Sequence, residues 1–286
     1  MGIAGIGRRT ERATEPRPRW RWWTARDPGQ MALWLLGALA VVYLALPVVN
    51  LLVVEPWSQV QATVSDSQAT GALRTSLVGA TLATSLIAVV GIPLAYVLAH
   101  ARFRLRPLVT LLVYLPLVFP AVVSGVAQLL IYGPYGPIGK LFAAHGMELD
   151  TSFAGVVLAQ TFVAAPFAIV AARAAFEAVD ADTERVARTL GASDWRVFWT
   201  VSLPQAAGGV IAGVILTWLR AMAEFGATAV LAYHPYTLPV YIYVQLTGEG
   251  LTAALPLALL ALVASVLAIG AAMLATARSR IPGGHP

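Results

Sequence analysis

The stretch ARTLGASDWRVFWTVSLPQA, residues 187–206, is polar and charged in a chain that is otherwise predominantly apolar. It places arginines, an aspartate and hydroxyl side chains around two tryptophans, and it is closed by Leu203 and Pro204. Long apolar segments lie on both sides of it, so it connects two regions that are built for lipid. Its composition indicates a surface outside the lipid that contacts another molecule.

The composition of the whole chain is that of an integral membrane protein. Of its 286 residues, 58% are hydrophobic and 12% are charged, whereas soluble domains average roughly 25% charged residues. The net charge of +5 comes from residues beside apolar segments, which favours membrane topology over nucleic-acid binding. The absence of cysteine excludes disulfides, thiol catalysis and cysteine-ligated metals.

Six apolar stretches are long enough to cross a bilayer core of roughly 30 Å, which takes about 20 helical residues. Backbone groups in lipid must find partners within the chain, so these spans are predicted to be helices and the fold all-α. The first stretch is too long and begins too late for a cleaved signal peptide, and we interpret it as a retained span. The six predicted spans are 31–54, 73–99, 108–131, 153–175, 208–233 and 251–277.

The distribution of positive charge predicts the orientation. With the N-terminus inside, the cytoplasmic segments would hold sixteen of the 19 Lys and Arg residues, including the basic segment 1–30. The external segments would hold only Arg74 and Lys140, and Arg220 would lie inside a span. Because cytoplasmic loops carry the excess of positive charge, we expect a multi-pass protein of the plasma (inner) membrane with both termini cytoplasmic. Trp20, Trp22 and Trp23 fit an anchor at headgroup depth or a simple solubilising flank.

The polar island then lies on the cytoplasmic side, between the fourth and fifth spans. Asp180 or Asp182 can cap a first short helix with Glu184 in its first turn. Gly191 is a natural stop after Leu190.

A second short helix is predicted to begin at Ser193 or Asp194 and to end at Pro204. Trp195, Phe198 and Trp199 fall at i, i+3 and i+4 and form an apolar face on it. Bulky aromatics ringed by arginines are typical of a protein-docking patch. The alternative is that Trp195 and Trp199 anchor the loop in the lipid headgroups.

The spacing in this island resembles a family motif. Permease subunits of binding-protein-dependent ABC importers carry Glu-Ala-Ala, three residues, Gly, nine residues, Ile, one residue and Leu-Pro. Here Ala187 matches the last alanine, Gly191 the glycine and Val201 the isoleucine, with Leu203 and Pro204 at the end. The chain departs from the motif at 185 and 186, where arginine and valine replace glutamate and alanine, although a glutamate is adjacent at 184.

The resemblance implies a type I ABC importer permease with a core over 71–276, a coupling loop at 176–207 and a tail at 277–286. In that family the motif forms a helix that seats in a cleft of a cytoplasmic ATPase. The implied partners are an ATPase dimer, an external binding protein and a second copy of the chain. No GxxxxGK[ST] stretch occurs, so ATP would be hydrolysed by the partner and not by this chain. The residues implied in coupling are Ala187, Gly191, Trp195, Phe198, Trp199, Val201, Leu203 and Pro204.

Charged and kinked positions inside the spans are candidates for the pathway. Arg220 and Glu224 lie one helical turn apart in the fifth span, where an unpaired charge costs about 2.5–3.5 kcal/mol. They either line a pathway or gate, or form a purely structural pair. Pro116 and Pro120 are expected to bend the third span, either lining the route or as packing kinks.

The substrate is suggested only by resemblance. Residues 223–228, AEFGAT, resemble the fifth span of oxyanion permeases for molybdate, tungstate and sulfate, and 233–243 looks most like the molybdate and tungstate members. The alternatives are a sulfate or other small-solute ABC permease and an ATP-independent secondary transporter. No cofactor is expected, the four histidines show no metal-like spacing, and an intramembrane hydrolase lacks a paired catalytic set.

Overall fold

The computed structural model describes residues 28–54 and 57–279, together with their side chains except those of 57, 272 and 274–279. The tryptophan cluster at 20–23, most of the basic segment 1–30 and the end of the tail therefore lie outside the described residues.

Helices form the regular structure of the described residues, which confirms the all-α prediction. In chain order they are α1 (Pro28–Val54), α2 (Trp57–Ser65), α3 (Ser67–His100), α4 (Arg106–Val118), α5 (Ala121–Tyr132), α6 (Pro137–Ala143), α7 (Phe153–Glu177), α8 (Ala181–Thr189), α9 (Asp194–Val197), α10 (Leu203–Met222), α11 (Gly226–Leu231), α12 (Leu238–Gly248) and α13 (Leu251–Ser279). One π-helical turn, Phe198–Ser202, joins α9 to α10.

Five helical stretches in the described residues are long and apolar enough to cross a membrane, or six if α4 and α5 together make one span. The first, α1, belongs to a separate unit from the helices that follow it. It is 27 residues long, strongly apolar and contains a single proline, Pro47.

The predicted third span, 108–131, is not one helix. α4 and α5 meet at a bend of 119°, far sharper than a proline kink. α4 ends at Val118, and Pro120 precedes α5, since proline has no N–H to continue the ladder and disfavours helical geometry at Phe119 before it. The bend expected near Pro116 and Pro120 is therefore present, but as a complete break at Pro120.

Three long helices, α3, α7 and α10, form the centre of the fold. Their buried residues pack in two clusters that both draw on all three helices. Glycines allow the close approach: a Cβ on Gly213 would lie 2.8 Å from Ala171, and one on Gly209 would lie 2.6 Å from Ala175. Small residues at helix contacts are the usual means of packing in lipid, where apolar burial alone favours no partner.

The predicted fifth span, 208–233, is also not a single helix. α10 ends at Met222, a short break follows, and α11 begins at Gly226. The Glu224 carboxylate accepts a hydrogen bond from Ala227 N at 2.7 Å, so this side chain satisfies the start of α11. The hydropathy pattern hides the break because its residues stay largely apolar. The following segment, predicted as external, contains α12, whose Leu238 N donates to Ser76 Oγ at 2.8 Å.

Candidate functional site

The predicted hairpin after α7 is present, and its ends have the predicted residues. Asp180 caps α8, with its carboxylate accepting from Asp182 N at 2.9 Å. Gly191 follows α8 with φ +87°, while Ala192 N donates to Ala187 O at 3.1 Å and Gly191 N to Arg188 O at 3.0 Å. These two bonds are the Schellman pattern of a helix end, which confirms the stop at Gly191. No atom lies within 4 Å of a Cβ placed there, so only the backbone conformation requires glycine.

The three aromatic residues of the second helix contact one another: the ring centroids of Trp195 and Trp199 lie 6.1 Å and 4.9 Å from that of Phe198. Ser193 caps α9, as predicted, and the π turn follows directly. Phe198 is 4% exposed and contacts the rings of Tyr96 and Phe176, whereas Trp195 is 68% and Trp199 49% exposed. The predicted apolar grouping is therefore present, but Phe198 is its buried member and anchors the loop in the core. The two tryptophans remain available to a partner.

Pro204 does not end the second helix, contrary to the prediction. α9, the π turn and α10 run together as one stretch, Asp194–Met222. The Leu203 N–H bonds to Phe198 O, five residues back, so the ladder widens just before the proline. Pro204 is the second residue of α10 and directly follows this widened turn, so the proline is accommodated within the continuous stretch. The hairpin is therefore continuous with α10.

Two further apolar side chains on α8 are exposed. Val186 is 58% and Leu190 84% exposed, and they are four residues apart on one side of the helix. The family motif has alanine where Val186 lies, and the sequence reasoning gave neither residue a role. The i, i+4 spacing of apolar residues on an otherwise polar helix is the signal that identifies them. Of the other predicted coupling residues, Ala187, Val201 and Leu203 are half-buried and Pro204 is exposed.

Glu184 is the functional residue that the sequence reasoning underestimated. It is 2% exposed, and its Oε1 accepts from Ser202 Oγ at 2.5 Å and lies 3.2 Å from His100 Nε2. Its Oε2 lies 3.3 Å from Arg188 Nη2. One carboxylate thus joins α8 to the π turn and to the end of α3.

Arg188 extends this network to the next helix. Its Nε donates to Asp194 Oδ1 at 2.9 Å, and its Nη2 lies 3.4 Å from the Tyr96 hydroxyl. The hydrogen bond with Asp194 raises the pKa of Arg188 above its usual value, so the cation is held charged across the hairpin. Arg185, which replaces the motif glutamate, instead points outward and pairs with Asp182 at 2.9 Å, with both side chains largely exposed.

The second candidate site is the charge pair in the fifth span. Arg220 Nη1 lies 2.6 Å from Glu224 Oε2, which confirms that the two side chains pair. Glu224 is 1% exposed, whereas the side chain of Arg220 is 29% exposed. The pair therefore spans the end of α10 and the break, with the carboxylate inside and the guanidinium partly open.

The two broken spans meet at their breaks. A Cβ on Gly226, the first residue of α11, would lie 2.7 Å from the Cβ of Ala121, the first residue of α5. A Cβ on Gly125 of α5 would similarly lie 3.0 Å from the backbone of Ala227. Glycine at both positions lets α5 and α11 pack at backbone distance. The structure thus brings the break at Pro120 next to the break that holds Glu224, while Pro116 is buried within α4.

Comparison with known proteins assigns this architecture to a family. Residues 91–280 match the family described as binding-protein-dependent transport system inner membrane component, and the match includes the hairpin formed by α8 and α9 and both broken spans. The chain belongs to this family. It is an ABC transporter permease, a multi-pass membrane component of a transport system.

Named relatives of this permease are similar along most of their length. A probable molybdenum ABC transporter permease of Haloferax volcanii is 43% identical over 248 residues, covering 87% of this chain and 90% of that protein. A molybdate/tungstate permease of Thermococcus kodakarensis is 40% identical, covering 79% and 87%. A sulfate permease of Synechocystis is 37% identical, covering 82% and 85%.

A solved structure shows the same fold. A chain of a bacterial alginate ABC transporter superposes with a TM-score of 0.72 over 90% of this permease and 96% of that chain. The sequence identity is 17%, so this likeness concerns the fold alone. It supports the type I importer permease architecture that the motif implied.

Proposed function

We propose that this permease forms the membrane pathway of an ATP-driven oxyanion importer and that its cytoplasmic hairpin docks on the partner ATPase. The exposed pair Trp195 and Trp199, on a loop continuous with α10, is the observation that carries the proposal. Exposed tryptophans on a fixed scaffold are typical energetic centres of protein interfaces. An anchor in the lipid headgroups would not need a rigid hairpin. This hairpin is held by the helix caps Asp180 and Ser193 and by the buried carboxylate of Glu184.

The motion of the docked loop would pass directly into two spans. Since the loop and α10 form one helical stretch, a tilt imposed at Trp195 reaches the far end of α10 without a hinge loop. Glu184 links the same hairpin to the end of α3 through His100. Closure and opening of an ATPase dimer would then rock α3 and α10 as a body, as in other rigid-body transitions.

The pathway is proposed to run beside the two adjacent breaks. Arg220 lies seventeen residues beyond Leu203, roughly 25 Å along the helix at 1.5 Å per residue, so α10 connects the docking loop to the charge pair. Irregular backbone at membrane depth is tolerated where it is buried in protein or lines a cavity. We assign Arg220, Glu224 and Pro120 to the pathway or gate on this ground, and with them Pro116, which lies one helical turn before the break at Pro120.

The proposed assembly is two copies of this permease, two ATPase subunits and an external binding protein, with both termini of each permease in the cytoplasm. One chain has one docking hairpin, and one hairpin serves one ATPase, so a two-fold arrangement gives each ATPase its contact. Hydrolysis is assigned to the partner alone.

The proposed substrate is molybdate or tungstate. The two relatives with the highest identities given above carry molybdenum or molybdate/tungstate in their names, and sulfate is the second candidate because one relative is a sulfate permease. These anions share tetrahedral geometry and charge, so the choice among them belongs to the binding protein as much as to the permease.

Transport by the complete reconstituted complex tests the substrate assignment. Proteoliposomes that contain permease, ATPase and binding protein are expected to accumulate molybdate and tungstate only with ATP, and a tenfold excess of sulfate should compete weakly. Preferential sulfate uptake would move the permease to the second candidate. Uptake driven by an ion gradient without ATP would instead show a secondary transporter and reject the importer.

A further inference from the structure

An open groove lies between α4 and α7, away from the docking loop and the charge pair. It has a volume of about 690 Å³ and is lined by Arg106, Pro107, Thr110, Leu111, Tyr114 and Arg173. Its two arginines lie at the end of the groove where α4 begins, and the α4 residues further along provide apolar walls. The groove therefore has a cationic end and a hydrocarbon end.

The cationic end carries more positive charge than its neighbours neutralise. Arg173 Nε donates to Glu177 Oε1 at 2.8 Å, and Arg106 Nη2 lies 3.9 Å from the same oxygen. One carboxylate thus serves two guanidinium groups, and the contact with Arg106 is too long for a hydrogen bond. Arg102 and Arg104, both exposed, add charge in the turn immediately before α4.

The start of α4 adds to the attraction for an anion. No side chain caps this helix, which is 13 residues long and has Pro107 in its first turn. Arg106 N donates to Phe103 O and Pro107 has no N–H, so the attraction for negative charge at this end comes mainly from the helix dipole. Because Arg106 belongs to that first turn, the guanidinium and the helix start act on the same anion.

The other end of the groove faces lipid. Leu111, which lines the groove, is 59% exposed, and Leu108 and Leu112 beside it on α4 are 51% and 54% exposed, in a helix that the hydropathy pattern places within the bilayer. Tyr114 is 38% exposed and lies two turns from Arg106 on the same side of α4. An occupant that carries a phosphate at one end and hydrocarbon at the other fits both halves.

We propose that this groove binds an anionic phospholipid. The phosphodiester contacts Arg106, which makes no hydrogen bond with Glu177, and lies beside Arg173 on the groove side, and an acyl chain follows Leu111 and Tyr114. Basic pockets between membrane helices recognise anionic headgroups in this way, and guanidinium groups match phosphate oxygens in pairs. The site depends neither on the substrate nor on which side of the membrane the loop faces.

Native mass spectrometry of the detergent-purified permease tests the site. We compare retention of phosphatidylglycerol and phosphatidylcholine by the unmodified chain and by a variant carrying both Arg106→Gln and Arg173→Gln. The unmodified chain should retain phosphatidylglycerol preferentially. The double variant should bind it roughly 10- to 30-fold more weakly, since each arginine contributes about fivefold at an anionic surface.

Three controls make the result decisive. Arg74→Gln removes an exposed arginine near the N-terminal end of α3, outside the groove, and should leave the retention of phosphatidylglycerol unchanged. Arg106→Lys with Arg173→Lys keeps both charges and should retain much of the binding, which separates charge from misfolding. Inorganic phosphate at millimolar concentration should fail to displace the lipid.

Several outcomes would overturn the proposal. Equal retention of both lipids would show that the groove does not select an anionic headgroup, and equal loss in the Arg74→Gln control would reduce the effect to general surface charge. Displacement by inorganic phosphate would identify a free-anion site. A change from dimer to monomer in the double variant, with lipid retention intact, would assign the face to a second copy of the chain.

Discussion

Glu184 and Arg185 are neighbours in the chain with opposite environments. The carboxylate of Glu184 is buried and contacts His100, Arg188 and Ser202, whereas Arg185 is 71% exposed in its side chain and pairs only across the surface with Asp182. Surface ion pairs are worth about 0–1 kcal/mol, while a buried charged group with several partners is worth considerably more. The acidic residue that holds the loop together therefore lies one position before the motif glutamate.

Glu184→Gln should destabilise the permease, and Arg185→Gln should not. The amide keeps the shape of the side chain but removes the charge that faces Arg188 and His100, which is expected to cost about 2 kcal/mol. Loss of the exposed arginine is expected to cost less than about 0.5 kcal/mol. Thermal unfolding of the detergent-solubilised protein measures both, and equal shifts for the two variants would contradict the role assigned to Glu184.

Gly191 allows a test of backbone conformation separate from packing. At φ +87° an alanine or valine is strained by about 1–2 kcal/mol, yet a Cβ there would meet no neighbouring atom. Gly191→Val should therefore disturb the angle between α8 and α9 and lower ATPase stimulation by the permease. Gly191→Asn should retain most of it, because asparagine tolerates left-handed geometry. Equal loss in both variants would show that the side chain itself obstructs docking.

At the scale of elements, the π turn explains how one short segment both anchors the loop and presents it. The turn places Phe198 and Ser202 inward, against α7 and Glu184, while Trp195 and Trp199 stay exposed. Trp195 and Trp199 both remain in ring contact with Phe198, so the buried phenylalanine supports the two exposed tryptophans. π turns of this kind are frequent at functional sites, where they shift the direction of side chains.

Substitution of the aromatic residues should separate docking from folding. Trp195→Glu with Trp199→Glu is expected to leave the unfolding temperature nearly unchanged and to weaken ATPase binding by at least roughly 30-fold, the equivalent of about 2 kcal/mol. Phe198→Ala should instead cost about 3–5 kcal/mol of folding stability. Pull-down of the ATPase and thermal unfolding give the two readouts. Undiminished ATPase binding by the double tryptophan variant would leave headgroup anchoring as their role.

The sequence predicts those elements whose signals are local. Asp180, Gly191 and Ser193 act through their own backbone, so the hairpin could be placed from residue types alone. The breaks at Pro120 and around Glu224 were missed as breaks, since hydropathy averages over a window and both sides remain apolar. The burial of Glu184 was hidden because its partner His100 lies 84 residues earlier in the chain, on α3.

At the scale of the whole molecule, the orientation of the permease decides whether the hairpin can meet an ATPase at all. The charge distribution predicts the hairpin inside and the segment 132–152, which includes α6, outside, because the first region is rich in arginine and the second has Lys140 as its single Lys or Arg residue. The chain has no native cysteine, so a single introduced thiol reports its own location without background.

Leu190→Cys and Met147→Cys provide a matched pair, since these side chains are 84% and 52% exposed and lie on predicted opposite sides. A membrane-impermeant maleimide should label Met147→Cys in intact cells and Leu190→Cys only in inverted vesicles. Detergent-permeabilised cells, in which both should react, control for reactivity. Labelling of Leu190→Cys in intact cells would place Trp195 outside as well. The hairpin could then not contact a cytoplasmic ATPase, and ATP hydrolysis could not move α10 through it.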